Sequence, residues 1–121
     1  MKAEASLQAS CVKWFNLQYP QHRGLLIHVP NGGSRRSAIE GRSLKLQGVT
    51  AGVADLLLLI AKQGYGCLCI ELKTAKGKQS ESQQAWQKIT IEAGNIYIIC
   101  RTVEEFIGTI NSYLNEANSK K

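Results

Sequence analysis

Acidic residues are scarce in this chain: nine Asp and Glu stand against fifteen Lys and Arg, leaving a net charge of +6. An acidic partner follows more naturally from that balance than a basic one, and nucleic acid is the simplest anionic candidate. Long apolar runs are missing as well. The longest, ADLLLLIA at Ala54 to Ala61, is too short to span a bilayer, and MKAEASLQAS lacks the apolar stretch of a signal peptide. No membrane partner is expected, and a cytoplasmic location is. Cysteine numbers only four and histidine two, with no Cys-x-x-Cys pair and no Cys/His zinc spacing. Cys67 and Cys69 would leave one strand in the same direction, too far apart for a good disulfide, so reduced and mostly buried thiols are expected.

At 121 residues and 44% hydrophobic content, the chain is long enough for one ordinary core and too short for two. Residues 1–121 are expected to form a single domain with a polar tail from about residue 115. Apolar positions Leu7, Cys11, Trp14, Phe15 and Leu17 recur at near-helical spacing and stop before Pro20. GLLIHV reads as a strand ended by the turn PNGG, and SRRSAIEGRSLKLQG as a short helix closed by Gly48. VADLLLLI and GCLCIELK are two apolar strands joined by the hairpin loop AKQGYG. SESQQAWQKITIEAG is a helix with Ser80 as N-cap and Gly94 beyond its end. NIYIICR is a further buried strand. A last amphipathic helix follows, opened by Thr102 and Glu105 as a capping box. The resulting order is αβαββαβα: a mixed α/β domain with a central sheet flanked by helices.

One stretch breaks its own pattern. CLCIELK, Cys67 to Lys73, is apolar enough for the core, yet it carries Glu71 and Lys73. Strand alternation places Cys67, Cys69, Glu71 and Lys73 on one face and Leu68, Ile70 and Leu72 on the other. Folding the hairpin about AKQGYG brings Asp55, at the start of the preceding strand, within one residue of facing Glu71. Two neighbouring carboxylates repel, and burying them unpaired is unfavourable. A divalent cation would resolve the conflict. A Glu71–Lys73 salt bridge explains part of the pattern, but one ammonium does not satisfy two carboxylates.

The spacing G-x-x-D, apolar hairpin, E-x-K resembles the PD-(D/E)xK nuclease core. More specifically, EASLQ, HVPNGG, GVADLLL, IELK and SESQQAW together resemble the virus-type replication–repair nuclease (VRR-NUC) family, in its small stand-alone form typical of phages. The likeness runs from about Glu4 to Ile107. Ala54 stands where a proline often precedes the aspartate, at a position that shapes the turn and contributes no ligand. The resemblance implies a restriction-endonuclease-like α/β fold and metal-dependent hydrolysis of phosphodiester bonds. If the chain is phage-encoded, the compartment would be the bacterial host cell.

On this resemblance Asp55 and Glu71 would hold Mg²⁺ or Mn²⁺, with the backbone carbonyl of Leu72 and the carboxylate of Glu4 as further oxygen ligands. Glu in a first helical turn is also favourable for the helix dipole alone. Lys73 would orient the attacking water and offset charge developing on the phosphate, its part as a base being left open. Gln83 would point at the metal or its water. Because Ser80 and Gln83 also spell a capping box, the side chain is expected to serve one purpose or the other, with the site favoured. Asn31, in the turn after the first strand, would contact substrate backbone or support the residues that do. Arg35, Arg36, Arg42 and Lys45 in one segment, and Lys76 and Lys78 in another, would meet phosphates. His28 is read as a strand residue with one satisfied nitrogen, and Trp14 and Trp86 as core.

The function expected is structure-selective cutting of branched DNA, such as four-way junctions, by a homodimer without an organic cofactor. Two alternatives stand beside it. One is a less selective nuclease of flaps or single strands; the other is a silent nucleic-acid-binding domain, which would have no reason to keep repelling carboxylates.

Overall fold

The computed structural model describes residues 2–30 and 38–115. Its elements are α1 (Lys2–Gln18), a 3-10 turn (Pro20–His22), β1 (Leu26–His28), α2 (Ala38–Leu46), β2 (Leu56–Leu58), β3 (Leu68–Leu72), α3 (Glu81–Glu92), β4 (Ile96–Cys100) and α4 (Val103–Leu114). The predicted order αβαββαβα is therefore observed, as is the mixed sheet. Its strands run β1-β2-β3-β4, antiparallel except for the parallel β3–β4 pair. The parallel pair needs a crossover, and α3 supplies it.

Strands β1 and β2 are shorter than their apolar runs. Pairing with both neighbours holds only over Leu56–Leu58, so Asp55 sits just before β2 and not within it. Between β2 and β3 the chain reverses at Gln63 and Gly64, both at positive φ, with Lys62 and Tyr65 exchanging backbone hydrogen bonds. Glycine relieves the second of those two strained positions.

Alternation divides the sheet as the sequence implied. Leu56, Leu58, Leu68, Ile70, Leu72 and Cys100 join Cys11 and Phe15 of α1 and Phe106, Ile110 and Tyr113 of α4 in the main core. The opposite face carries a smaller cluster of Ala54, Cys69 and Tyr97, with Trp86 of α3 packed against it. Trp14 and Trp86 are thus both core contacts. The four cysteines are free, Cys67 and Cys69 lying 3.8 Å apart at sulfur. Burial, with Cys67 beside it, pushes the Cys69 thiol up to about 12, an inert state.

The capping box expected at the start of α4 is only half formed. Thr102 Oγ1 accepts from Glu105 N at 3.0 Å, but Glu105 Oε1 accepts from Arg101 N at 2.6 Å and not from Thr102. The carboxylate reaches one residue further back, to the donor at which the strand ends. Among the described residues no helix is long and apolar enough to cross a membrane.

Candidate active site

The site is built on the face of β3 opposite the main core, where β2, β3 and α3 meet. Register alone explains the pairing of its acids: Leu56 faces Ile70, so continuing outward by one residue sets Asp55 beside Glu71. Three hydrogen bonds fix Asp55. Its carbonyl accepts from Val29 N at 3.0 Å and meets His28 Nδ1 at 2.9 Å, while Oδ2 accepts from Leu72 N at 2.8 Å. His28 is exposed on β1, with that one ring nitrogen engaged.

Glu71 is 2% exposed. Gln83 Nε2 donates to its Oε2 at 2.8 Å, and Tyr97 OH donates to its Oε1 at 3.4 Å. Lys73 Nζ lies 3.8 Å from the same Oε2 and is itself buried. Burial, followed by the negative charge of Asp55, raises the Glu71 carboxyl from its ordinary 4.5 to about 8, against the opposing pull of Lys73. The ammonium and the two donors therefore do not offset the cost of ionising Glu71 beside Asp55. Two adjacent hard-oxygen donors on a buried sheet face, one with its charged form disfavoured, are chemically suited to Mg²⁺ or Mn²⁺.

Gln83 corrects the expectation that one side chain could serve either the helix or the site. Its Oε1 accepts from Ser80 N at 2.9 Å, completing a capping box with Ser80 Oγ, while its Nε2 reaches Glu71. An amide carries an acceptor and a donor on opposite arms, so the cap aims the donor. Gly52 explains how α3 comes so close. It holds φ +85°, and a Cβ there would lie 2.1 Å from the carbonyl oxygen of Ser82. Only glycine lets the loop before Asp55 press against the first turn of α3.

Glu4 lies half-buried in the first turn of α1. Among the described residues no group of three or more His, Cys, Asp or Glu is assembled, so Glu4 does not join Asp55 and Glu71 into a three-acid cluster. Leu72 is buried at the end of β3. Arg42 and Lys45 are exposed on α2, and Lys76 and Lys78 are exposed between β3 and α3. Asn31, Arg35 and Arg36 lie outside the described residues.

Sequence reasoning missed three contributors. Tyr97 looks like a strand aromatic, yet it bonds Glu71 and accepts from Gln79 Nε2 at 3.2 Å. Its odd-numbered place on β4, sharing a face with Glu71 across a parallel pair, was the available signal. Gln79 also bonds Gln87 Oε1 at 2.9 Å, tying the loop to α3. Arg101 holds the turn after Lys73 by its guanidinium, and no local pattern announces it.

A mixed sheet with helices on both faces and an acid pair at the hairpin is the restriction-endonuclease-like α/β architecture. The VRR-NUC family model matches residues 2–104, and the chain belongs to that family, whose members are nucleases of the PD-(D/E)xK type. A solved structure described as a VRR-NUC domain protein aligns over 93% of this chain and 88% of its own length, with a TM-score of 0.79 and 24% sequence identity. At that identity the likeness establishes the fold. No curated protein matches the sequence.

Proposed function

We propose that this chain is a divalent-metal-dependent endonuclease acting on branched DNA, such as four-way junctions, as a homodimer. The observation that carries the reading is the Asp55–Glu71 pair, in which ionisation of the buried Glu71 stays disfavoured despite Lys73 and two hydrogen-bond donors. Asp55 and Glu71 would hold Mg²⁺ or Mn²⁺, with the Leu72 carbonyl as a further oxygen; Glu4, which does not join the two acids here, would have to move with the start of α1 to reach the ion. Such an ion, when bound, supplies Lewis acidity and a more acidic water. Tyr97 and Gln83 orient the Glu71 carboxylate. Lys73 places positive charge where the phosphate gains negative charge and aligns the water that attacks it. Arg42, Lys45, Lys76 and Lys78, with Asn31, Arg35 and Arg36, would contact the DNA backbone without reading sequence.

A catalytic domain of this size draws its selectivity from shape, and two copies present two sites to two strands. The apolar face of α4 is used inside the chain, through Phe106, Ile110 and Tyr113. Helix α2, by contrast, exposes Leu44 and leaves Leu46 90% accessible. That exposure supports α2, in place of α4, as the contact between copies.

The test is cleavage of labelled four-way junction, flap, duplex and single-stranded DNA with Mg²⁺, Mn²⁺ or EDTA, alongside light scattering for oligomeric state. Metal-dependent, symmetric junction cutting that is lost in Lys73→Ala is the expected result. Cutting confined to flaps or single strands would replace the substrate assignment. Binding without cutting by the wild type would overturn the enzymatic reading.

A further inference from the structure

We propose that Arg101 is a positioning residue for Lys73, acting through the turn that follows β3. The proposal rests on the nuclease reading of the site. Lys73 closes the sheet: its N–H donates to Cys100 O at 3.1 Å, one residue before Arg101. Beyond it the chain folds back at once, with Gly77 N donating to Thr74 O at 3.1 Å across Ala75 and Lys76. That bond alone is a weak hold on an exposed turn.

Arg101 supplies the rest. Its Nη1 donates to Thr74 O at 2.7 Å and to Gly77 O at 2.7 Å, with Ala75 O at 3.5 Å. The two short bonds use both hydrogens of that nitrogen and join the first and last residues of the turn to one charged group. The backbone of Arg101 is held in turn by Glu105 Oε1, at the entry to α4. The guanidinium is therefore fixed at its base and at its tip.

Lys73 is where the clamp has its effect. A Cβ at Gly77 would lie 3.4 Å from Lys73 Cδ, so the closed turn lies against the lysine stem. Lys73 is 9% exposed even though it lies just past the end of β3. With the turn released, the four-carbon stem regains rotamers and the ammonium leaves its place beside Glu71. A misplacement of that kind lowers the rate of the chemical step and not the affinity for DNA.

The experiment compares wild type, Arg101→Ala and Arg101→Lys by amide hydrogen exchange and by single-turnover cleavage with Mn²⁺. In Arg101→Ala the amides of Ala75 to Lys78 exchange faster, while those of β3 and α4 stay protected. The cleavage rate at saturating protein falls about 30-fold, with the DNA dissociation constant within about threefold of wild type. Arg101→Lys keeps the charge but loses the planar fork, so it recovers only part of the rate. Unchanged exchange in the turn overturns the clamp. Faster exchange with an unchanged rate overturns the link to Lys73. Weaker binding at an unchanged rate makes Arg101 a phosphate contact instead. If wild type cuts no DNA, the nuclease reading fails by itself, and the exchange comparison still decides whether Arg101 holds the turn.

Discussion

The amide of Gln83 donates to Glu71 Oε2 at 2.8 Å while its carbonyl closes the N-terminal cap of α3. A helix start and a buried acid thereby share one side chain, so a perturbation of either is felt by the other. Substituting Gln83 separates the two roles. Gln83→Ala should lower stability by about 1 kcal/mol from the cap and slow cleavage about tenfold or more. Gln83→Glu retains an acceptor for Ser80 N but places a third carboxylate at Glu71. Its thermal stability should match wild type near pH 5 and fall below it at pH 8. Melting curves at the two pH values, beside single-turnover rates, check both parts.

Glu71 makes the metal-free protein pH-sensitive in a defined direction. Its carboxyl is raised in the folded state from 4.5 to about 8, so between those values the folded chain holds a proton that the unfolded chain releases. Stability from this group is therefore greatest below pH 4.5 and declines as pH rises toward 8, by at most about 1.4 kcal/mol per pH unit. Urea denaturation in EDTA should show that decline between pH 6 and 8, and Glu71→Gln should flatten it. Added Mn²⁺ should raise the melting temperature more at pH 8 than at pH 6, because the ion competes with the proton.

Asp55→Asn tests the metal without breaking the hairpin. The asparagine carbonyl still accepts from Leu72 N, the bond that Asp55 Oδ2 makes at 2.8 Å, so folding should persist. Cleavage should fall by about a hundred- to a thousandfold, and the Mn²⁺-dependent rise in melting temperature should shrink toward zero. A variant that still cuts at the wild-type rate would remove Asp55 from the site.

Gly52→Ala should be among the most damaging single-methyl additions in the chain. The new Cβ would meet the Ser82 carbonyl, which belongs to the helix backbone and cannot rotate away, and the backbone already sits at φ +85°. A loss of about 3 kcal/mol is expected in chemical denaturation. The residual folded protein should cleave more slowly, since α3 and its Gln83 are pushed from Glu71.

Local chemistry made much of this molecule legible in advance. Turn residues and apolar periodicity set out the eight main elements, because each depends on neighbours within a few positions. Strand alternation put Glu71 and Lys73 on one face, and the hairpin spacing brought Asp55 to them, because a register is a count. The caps were less secure: Glu105 was expected to bond Thr102 and bonds Arg101 N instead, a difference of one donor that only the strand end decides.

Long-range contacts decided the remainder. Gln83 reaches Glu71 because Gly52 admits α3 to the sheet, Tyr97 reaches it across a parallel pair, and Arg101 closes a turn some 25 residues earlier in the chain. Alternation marks the face of Tyr97 but not the strand it pairs with, and for the rest parallel pairing and helix docking join residues whose separation in sequence carries no periodic mark. The chain's own pattern thus determined which residues stand on β3 and what chemistry they can carry. The tertiary structure determined which side chains hold them in place, because that depends on distances that arise only when the sheet and helices pack.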